Sequence, residues 1–335
     1  MRGGEIGHLV IVTHTDLDGV GAAASAMRAL GRTGEATILF AEPYNVHEVL
    51  RGEALEYVDK GDGLVVSDIG YNSGVYTELV RLVGELASRG VKVEWYDHHV
   101  WDDAAVEGLR RAGARVVVDR STCATGVVAR YIDGGSSYER DEYLRELERA
   151  VCSADLWRWD HPLSPKLFRV VGERRGGEDW KRRLAVKLAE GVMWDDEMEA
   201  RLEEYVNLEL RGYEAVMGTV VTRIVDGVKL AVAVKGRGPP SSSMIGSLLL
   251  SRFNADVAVI ARLDGGISFR SSRVNVRDLA ASLGGGGHPR ASGAKVRLNP
   301  LVKLASRLHP KILSFYISWV VAKHIRKMGG LALEL

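Results

Sequence analysis

The sequence predicts an α/β protein with two domains, and three observations lead to this prediction. The first half alternates short apolar runs with amphipathic helical segments, the pattern of a mainly parallel sheet with helices on both faces. A long, charged and almost glycine-free segment then predicts a linker helix over residues 195–217. Residues 218–335 combine a hairpin signal at Asp226–Gly227 with further strands and helices, which predicts a smaller α/β domain with a mixed sheet. The larger domain is therefore expected over residues 1–194.

The individual elements follow from apolar runs and helical periodicity. Strands are predicted where β-branched residues cluster between turn residues: Leu9–Val12, Ala36–Phe40, Gly63–Gly70, Val91–Tyr96, Arg115–Asp119, Thr219–Val225, Val228–Val234, Val257–Leu263 and Gly266–Ser271. Helices are predicted after Gly19 and at Val46–Val58, Thr77–Arg89, Val127–Ile132, Glu139–Trp157, Ser242–Phe253, Val276–Leu283 and, as one closing helix, Leu301–Met328.

The composition is that of an ordinary soluble globular protein, with 46% hydrophobic and 27% charged residues. A net charge of +1 gives no global attraction to nucleic acid or membranes, so any anion-binding surface must be local. Only two cysteines, Cys123 and Cys152, predict a reducing, cytoplasmic environment without a disulfide framework. No secretory signal is evident, and the apolar run Ile312–Ala322 is too short to span a bilayer. Frequent Glu, Lys and Arg with no Gln are compatible with a thermophile.

The segment His14–Gly19 carries the first chemical signal. It lies between a buried strand and a helix of small residues, at the edge of the sheet where α/β proteins bind ligands. Residues two apart in an extended segment point the same way, so His14, Asp16 and Asp18 can converge on one point. Carboxylates and an imidazole that face one another are stabilised by a cation. The segment therefore predicts half of a metal site.

Three other interpretations of this segment were weighed. A calcium loop beginning at Asp16 would place Met27 where a bidentate Glu is required, which excludes it. A dinucleotide loop could use Gly19 and Gly21, but two carboxylates would repel a pyrophosphate unless metals intervene. A polar turn that only caps the helix stays open on this segment alone.

Further acids and histidines end the later strands. Asp68 follows the third strand, the triplet Asp97–His99 follows the fourth, and Asp155 lies among small and apolar residues of a helix. The carboxyl ends of parallel strands emerge at one edge, so these side chains are expected to meet there. Oxygen and imidazole ligands without thiolates suit manganese or magnesium, with iron or zinc as alternatives, and the set is large enough for two ions. Any one of these residues could instead be an ordinary surface or capping residue.

Two segments indicate anion binding. The glycine run Gly284–Gly287 with His288 and Arg290 offers backbone N–H groups and positive charge, although such a run could also be only a flexible loop. Arg270, on the preceding strand, is a plausible bidentate clamp for phosphate. The turn Ser121–Gly126 could bind an anion at a helix start or simply cap that helix, and both readings stay open.

Together these motifs resemble the DHH phosphoesterases, a family named for the triplet that stands here as Asp97–His99. The resemblance covers nearly the whole chain. The segment His14–Gly19 is similar to the first motif of the family, Val66–Asp68 to the second and Asp155 to the fourth. The segment Gly284–Gly293 resembles the nucleotide loop of the DHH-associated second domain.

The resemblance implies a DHH catalytic domain at residues 1–194 and a substrate-binding domain at residues 218–335. It implies two Mn²⁺ ions, with Mg²⁺ or Co²⁺ as substitutes, that are bridged by Asp68 and activate water for attack on phosphorus. His99 would stabilise charge on the phosphate, while Asp97 would orient His98. The implied metal ligands are His14, Asp16, Asp18, Asp68, His98 and Asp155. The implied substrate-binding residues are Arg270, Gly285, Gly286, Gly287, His288 and Arg290.

The expected function is that of a manganese-dependent phosphodiesterase or exonuclease that releases nucleoside monophosphates from short oligonucleotides or single-stranded RNA or DNA. The first motif is spaced as in RecJ-like nucleases, whereas the oligoribonuclease and pyrophosphatase branches place an Asn-Pro pair before the acids. The chain is shorter than full bacterial RecJ and shows no obvious appended oligonucleotide-binding barrel, which favours short substrates.

The alternatives are an enzyme acting on a cyclic dinucleotide or a nucleotide 3′,5′-bisphosphate, and a scaffold that binds replication proteins. The retained ligand set disfavours the scaffold. A homodimer, the strand preference and the polarity of attack stay open.

Overall fold

The structure is a computed structural model that describes residues 6–172 and 177–331. It consists of two compact units, Met1–Leu202 and Glu203–Leu335, and the division lies inside helix α11 (Asp196–Met217). The predicted α/β fold class is confirmed: a parallel sheet in the first unit and a mixed sheet in the second. Among the described residues, no helix is long and apolar enough to cross a membrane.

The first unit is built on a five-stranded, wholly parallel sheet with the strand order β2-β1-β3-β4-β5. The central strands are buried on both faces, which explains their continuous apolar and β-branched sequences. The strands are β1 (Leu9–Thr13), β2 (Ala36–Phe40), β3 (Gly63–Ser67), β4 (Lys92–Asp97) and β5 (Arg115–Val118).

Helices cover both faces of this sheet. Because successive strand residues point to opposite faces, Ile11 packs in one core with Met27 and Trp180, while its neighbour Val12 packs in the other core with Leu82. The helices are α1 (Leu17–Ala29), α2 (Val46–Val49), α3 (Leu55–Tyr57), α4 (Tyr76–Ser88), α5 (Asp103–Arg111), α6 (Ala124–Tyr131), α7 (Ser136–Arg140), α8 (Glu142–Asp155), α9 (Ser164–Gly172) and α10 (Gly177–Ala189). A π-helical turn, Leu50–Ala54, joins α2 to α3.

The second unit is built on a six-stranded mixed sheet with the order β10-β11-β9-β8-β7-β6, in which only the β7–β8 pair is parallel. The predicted hairpin joins β6 to β7, and its turn has φ values of 48° at Asp226 and 83° at Gly227, as a two-residue turn of this kind requires. The strands are β6 (Val221–Val225), β7 (Val228–Val234), β8 (Val257–Ala261), β9 (Gly266–Arg270), β10 (Gly286–His288) and β11 (Ala291–Lys295).

Helices lie on both faces of the second sheet as well. Residues of α12 (Ser242–Phe253) form one core with alternate residues of β7 and β8, and residues of α13 (Val276–Ser282) and α15 (Lys311–Lys327) form the core on the other face. The prediction of one closing helix over Leu301–Met328 is wrong. The segment forms α14 (Pro300–Leu308) and α15, because Pro310 has no backbone N–H to continue the helix.

The prediction that the two cysteines form no disulfide is also wrong. Cys123, the N-cap residue of α6, is bonded to Cys152 of α8, and their Cα atoms are 5.2 Å apart. Helices α6 and α8 pack against each other, and both sulfur-bearing side chains are buried there. Two cysteines 29 residues apart in sequence are thus neighbours in space, which their number could not indicate.

Candidate metal centre

The predicted acids and histidines of the first unit meet at the carboxyl edge of its sheet. His14 follows β1, Asp68 follows β3 and Asp97 ends β4, and these three strands are adjacent in the sheet. Asp155 is the last residue of α8. Three groups of donor atoms result among the described residues, and within each group the atoms lie within 4.8 Å of one another. The first donor group is His14, Asp16 and Asp68, the second is Asp18, His98 and Asp155, and the third is Asp68, Asp97, His98 and His99.

The turn from β1 into α1 fixes the first acids. Asp16 is the N-cap residue of α1, and its Oδ1 accepts hydrogen bonds from the backbone N–H groups of Asp18 and Gly19, each at 3.1 Å. A Cβ atom at Gly19 would lie 2.1 Å from the carbonyl oxygen of His14. Only glycine therefore allows the helix to begin this close to the strand end.

Asp18 is held by the start of α6. Its side chain is almost wholly buried, and its two oxygens accept hydrogen bonds from the N–H groups of Ala124 at 2.7 Å and Thr125 at 2.8 Å. The turn Ser121–Gly126 thus both starts a helix and binds an anion, and that anion is a carboxylate of the protein itself. Burial nevertheless raises the pKa of Asp18, which indicates that the carboxylate needs further positive charge.

One acid beside the first donor group, Glu42, was not predicted from the sequence. His14 Nδ1 lies 3.0 Å from Asp16 Oδ2 and 3.7 Å from Asp68 Oδ2, while His14 Nε2 lies 3.2 Å from Glu42 Oε2. Glu42 comes two residues after β2, so the acid-after-strand pattern that identified Asp68 could have identified it too. Burial by itself would lower the pKa of His14, but the hydrogen bonds to Asp16 and Glu42 raise it to about 10.

The second donor group surrounds His98. Its Nε2 atom lies 3.6 Å from Asp18 Oδ2, 3.7 Å from Asp155 Oδ2 and 3.6 Å from Asp68 Oδ1. Burial, followed by the charge of Asp18, raises the pKa of Asp155 to about 8. These separations are longer than hydrogen bonds, and three carboxylates face one imidazole.

Asp68 belongs to the first donor group and also faces the second. Its Oδ2 faces His14 and its Oδ1 faces His98, and the Oδ2 atom is buried with no hydrogen-bond partner among the described residues. Burial, with the charges of the other acids, raises its pKa well above the ordinary value. Asp68 also has φ of +57°, an uncommon backbone conformation for a residue other than glycine. An orphaned carboxylate between two sets of oxygen and imidazole donors fits a pair of bridged divalent ions.

Asp97 holds His99 rather than His98, so the implied contact with His98 is corrected. The fully buried Asp97 accepts hydrogen bonds from His99 Nδ1 at 2.8 Å and from Trp101 Nε1 at 2.6 Å. Burial by itself would lower the pKa of His99, but the bond to Asp97 raises it. Trp101 packs edge to face on Trp95 and lies 5.9 Å from the ring of Tyr71, which places these rings in packing roles.

The glycine run of the second unit is more ordered than a bare loop. The N–H groups of Gly284 and Gly285 donate to the carbonyls of Ala281 and Ala280 and so end α13. Gly286 and the two residues after it then form β10, which pairs with β11. The expectation of four free N–H groups is therefore wrong for the first two glycines, because they close the helix.

Arg270 lies at the end of β9, near this hairpin. Its guanidinium donates to Ser243 Oγ from Nε at 3.3 Å and from Nη2 at 3.0 Å, and burial lowers its pKa. The N–H of Ser271 donates to the carbonyl of Arg290 at 3.1 Å, so the backbone of Arg290 is beside the strand end that carries Arg270. His288 is exposed on β10. The predicted substrate residues thus lie on or beside neighbouring strands near one edge of the sheet.

Comparisons with known proteins agree with this architecture. The DHHA1 domain family matches residues 227–319. A comparison with curated proteins found no match. The pGpG-specific phosphodiesterase PggH from Vibrio cholerae superposes with a TM-score of 0.56 at 14% identity, over 91% of this chain and 99% of that one.

Two further solved structures share the fold. RecJ from Thermus thermophilus, in complex with Mn²⁺, has a TM-score of 0.55 at 17% identity, over 92% of this chain but only 52% of RecJ. An exopolyphosphatase-related protein from Bacteroides fragilis has a TM-score of 0.55 at 13% identity, over 93% of this chain and 94% of that one. This chain is thus similar to the DHHA1 domain family over residues 227–319 and shares its fold with these three solved structures.

Proposed function

We propose that this chain is a divalent-metal-dependent phosphodiesterase that releases nucleoside monophosphates from short oligonucleotides or single-stranded nucleic acid. The observation that carries the proposal is Asp68, a buried carboxylate with an unpartnered oxygen between two groups of metal-donor atoms. Two ions held close together suit in-line displacement at phosphorus, because both the attacking and the leaving oxygen are then stabilised.

The proposed ligands are His14, Asp16 and Asp68 for one ion, and Asp18, Asp68, His98 and Asp155 for the other. Mn²⁺ is the first candidate because the donors are carboxylates and imidazoles, and Mg²⁺ or Co²⁺ could substitute. RecJ, whose fold is similar, was crystallised with Mn²⁺. When bound, the ions would lower the pKa of water and neutralise charge on the phosphate oxygens.

His99 is the proposed partner of the scissile phosphate. Its ring is half exposed, and its Nδ1 is anchored by the buried carboxylate of Asp97. That bond raises the pKa of His99 and so favours the doubly protonated ring. The Nε2–H of that form can donate to a phosphate oxygen as negative charge develops. Trp101 donates to the other oxygen of Asp97 and so restricts its rotation.

In the second unit, Arg270, His288 and Arg290 are proposed to bind the nucleotide, together with Gly286 and Gly287. Ser243 Oγ accepts two hydrogen bonds from the guanidinium of Arg270 and so orients this planar cation, which can bind a phosphate. A Cβ at Gly287 would lie 2.7 Å from the Cα of Ser292, and its φ is +135°. A side chain there would disturb the hairpin that carries His288.

A second candidate function is hydrolysis of small nucleotides such as cyclic dinucleotides, linear dinucleotides or nucleotide 3′,5′-bisphosphates. The observation in its favour is the fold similarity to PggH, a pGpG-specific phosphodiesterase, which extends over 99% of that chain. RecJ, by contrast, is matched over only 52% of its length. The two candidates share the metal centre and differ in substrate length.

The test measures hydrolysis of end-labelled RNA and DNA, from dinucleotides to about 20-mers, and of pGpG, with and without Mn²⁺. Asp68→Asn keeps the shape of the side chain but removes the bridging charge, so we expect its rate to fall at least about 100-fold. The matched control is Asp103→Asn, which removes an exposed carboxylate from α5.

A Mn²⁺-dependent ladder of products that Asp68→Asn abolishes would support the oligonucleotide activity. Cleavage confined to dinucleotides would favour the second candidate. If the wild type left every phosphodiester intact with Mn²⁺, Mg²⁺ and Co²⁺, the proposed function would be wrong.

A further inference from the structure

Positive charge is concentrated near the end of the chain. The net charge of the whole protein is only +1, but residues 279–333 contain nine Lys or Arg and no Asp or Glu. The rest of the chain therefore carries −8. A segment with this bias attracts polyanions locally, although the protein as a whole does not.

Part of this charge lines a cavity of about 480 Å³ between β6 and the C-terminal half of α15. We call this cavity the β6–α15 groove. Its lining residues are Arg223, Trp319, Ala322, Lys323, Arg326 and Lys327. The spacing of the five helical residues places them on neighbouring turns, and Arg223 is held beside the helix by a hydrogen bond from its Nε to Ser318 Oγ at 3.2 Å.

The groove places an aromatic ring among these cations. Trp319 is 55% exposed, and Phe315, one turn earlier on α15, is 53% exposed. The ammonium of Lys323 lies 5.6 Å from the centroid of the Trp319 ring. A large exposed ring beside several cations is the arrangement with which proteins stack a base and bind its phosphates.

The cations of the groove are not explained by internal ion pairs. Among the described residues, none of these four Lys and Arg side chains has a carboxylate within ion-pair distance. Lys323 and Arg326 are three residues apart, and Lys323 and Lys327 are four apart, so like charges face each other on the helix surface. Such repulsion destabilises the free helix, and an anionic ligand would relieve it.

The groove is distinct from the predicted nucleotide residues of the same unit. It lies at β6, one edge of the six-stranded sheet, whereas the glycine-rich hairpin lies at β10, the opposite edge. Five strand spacings separate these edges, about 24 Å. A mononucleotide cannot reach from one edge to the other, but a strand of several nucleotides can.

We propose that the β6–α15 groove binds single-stranded nucleic acid, with phosphates paired to its Lys and Arg side chains and one base stacked on Trp319. This proposal rests on the proposed function only in that the bound strand is taken to be the substrate of the phosphodiesterase. An acidic protein segment would match the charge as well, but it would give the exposed Trp319 no comparable stacking partner.

The test measures binding of fluorescein-labelled 20-mers of thymidylate and uridylate to the full chain by fluorescence anisotropy. EDTA is present, so no hydrolysis occurs. We expect Lys323→Glu with Arg326→Glu to weaken binding at least about tenfold and to lower the slope of log K against log salt by about 1.4, the value for two lost phosphate contacts on a single strand. Trp319→Ala should weaken binding about fivefold or more.

The matched control reverses the same number of charges on α14, through Lys303→Glu with Arg307→Glu. Thermal unfolding of each variant shows whether the fold is kept. If the control variant loses as much affinity as the groove variant, or if Trp319→Ala binds like the wild type, the groove is not the binding site and the proposal is wrong.

Measurements on the wild type separate this proposal from the proposed function. A chain that cleaves a dinucleotide with Mn²⁺ but does not bind either 20-mer would contradict the groove and leave the phosphodiesterase intact. A chain that binds the 20-mers through the groove but cleaves no phosphodiester would contradict the proposed activity and support the groove.

Discussion

Replacement of Asp155 by asparagine should stabilise the metal-free protein, although Asp155 is a proposed metal ligand. Its donor oxygen lies within 4.8 Å of a carboxylate oxygen of Asp18 and a ring nitrogen of His98. Burial, and then the charge of Asp18, raises the pKa of Asp155 from 3.8 to about 8. A carboxyl group whose pKa rises on folding binds its proton more tightly in the folded state. Its contribution to stability is therefore complete below pH 4 and is lost as the pH rises towards 8.

The magnitude follows from the shift. Each pKa unit corresponds to about 1.4 kcal/mol, so at pH 7 the folded protein is destabilised by about 4 kcal/mol relative to the acidic limit. The raised pKa is shared between Asp155 and the neighbouring acids, so one substitution relieves only part of the destabilisation. Asparagine also loses the electrostatic attraction between Asp155 and His98. The Asp155 side chain is also 23% exposed, so solvent screens part of the effect. We therefore expect Asp155→Asn to raise the free energy of unfolding by about 1–2 kcal/mol at pH 7, a Tm increase of about 2–8 °C for a domain of this size.

The assay is thermal unfolding followed by circular dichroism in EDTA, at pH 7 and at pH 4, with Asp103→Asn as the exposed control. The stabilisation should be large at pH 7 and small at pH 4, where Asp155 is protonated in the folded state and about half ionised in the unfolded state. Added Mn²⁺ should stabilise the wild type more than the variant, because a ligand that binds only the folded state adds its binding free energy. A metal-free variant that is less stable than the wild type at pH 7 would show that the charge of Asp155 does not destabilise the folded protein.

Three further predictions test the surroundings of the metal centre. Gly19→Ala should weaken Mn²⁺ binding at least about tenfold, because the new Cβ would lie 2.1 Å from a backbone carbonyl oxygen. Calorimetry measures the affinity. The control Gly52→Ala, where a Cβ meets nothing within 4 Å, should bind Mn²⁺ normally. Replacing Cys123 and Cys152 with alanine should lower the free energy of unfolding in urea by about 3–4 kcal/mol, as expected for a closed loop of this length; a variant as stable as the oxidised wild type would contradict this. Trp101→Phe should lower kcat about 10–100-fold with KM nearly unchanged, because the ring still packs but the hydrogen bond from Trp101 Nε1 to Asp97 is lost. A normal kcat would show that this hydrogen bond is dispensable.

The sheet edge that carries the centre could be predicted because its signals are local. A β-branched run gives a buried strand, and an acid directly after it must lie at the carboxyl edge, as Asp68 does. Glu42 has the same signal but lies two residues beyond its strand, so it was missed. Its role depends on His14, which no local pattern connects to it.

The contacts that could not be predicted depend on packing between distant segments. The disulfide requires α6 and α8 to be adjacent, and Asp18 meets the N–H groups of a helix that begins more than 100 residues later. The partner of Asp97 depends on how the chain turns after β4, and the structure selects His99. The break at Pro310 was predictable from proline chemistry alone, but the apolar periodicity on both sides suggested one helix.

The proposed bridging role of Asp68 is tested most directly by counting the metal ions that the chain binds. Calorimetric titration of the EDTA-stripped chain with Mn²⁺ should give two ions per wild-type chain and two per Asp103→Asn control. In Asp68→Asn, both ions should bind at least about tenfold more weakly, because each loses a shared ligand. One ion per wild-type chain, or an Asp68→Asn variant that binds two ions as the wild type does, would contradict a bridged two-metal centre.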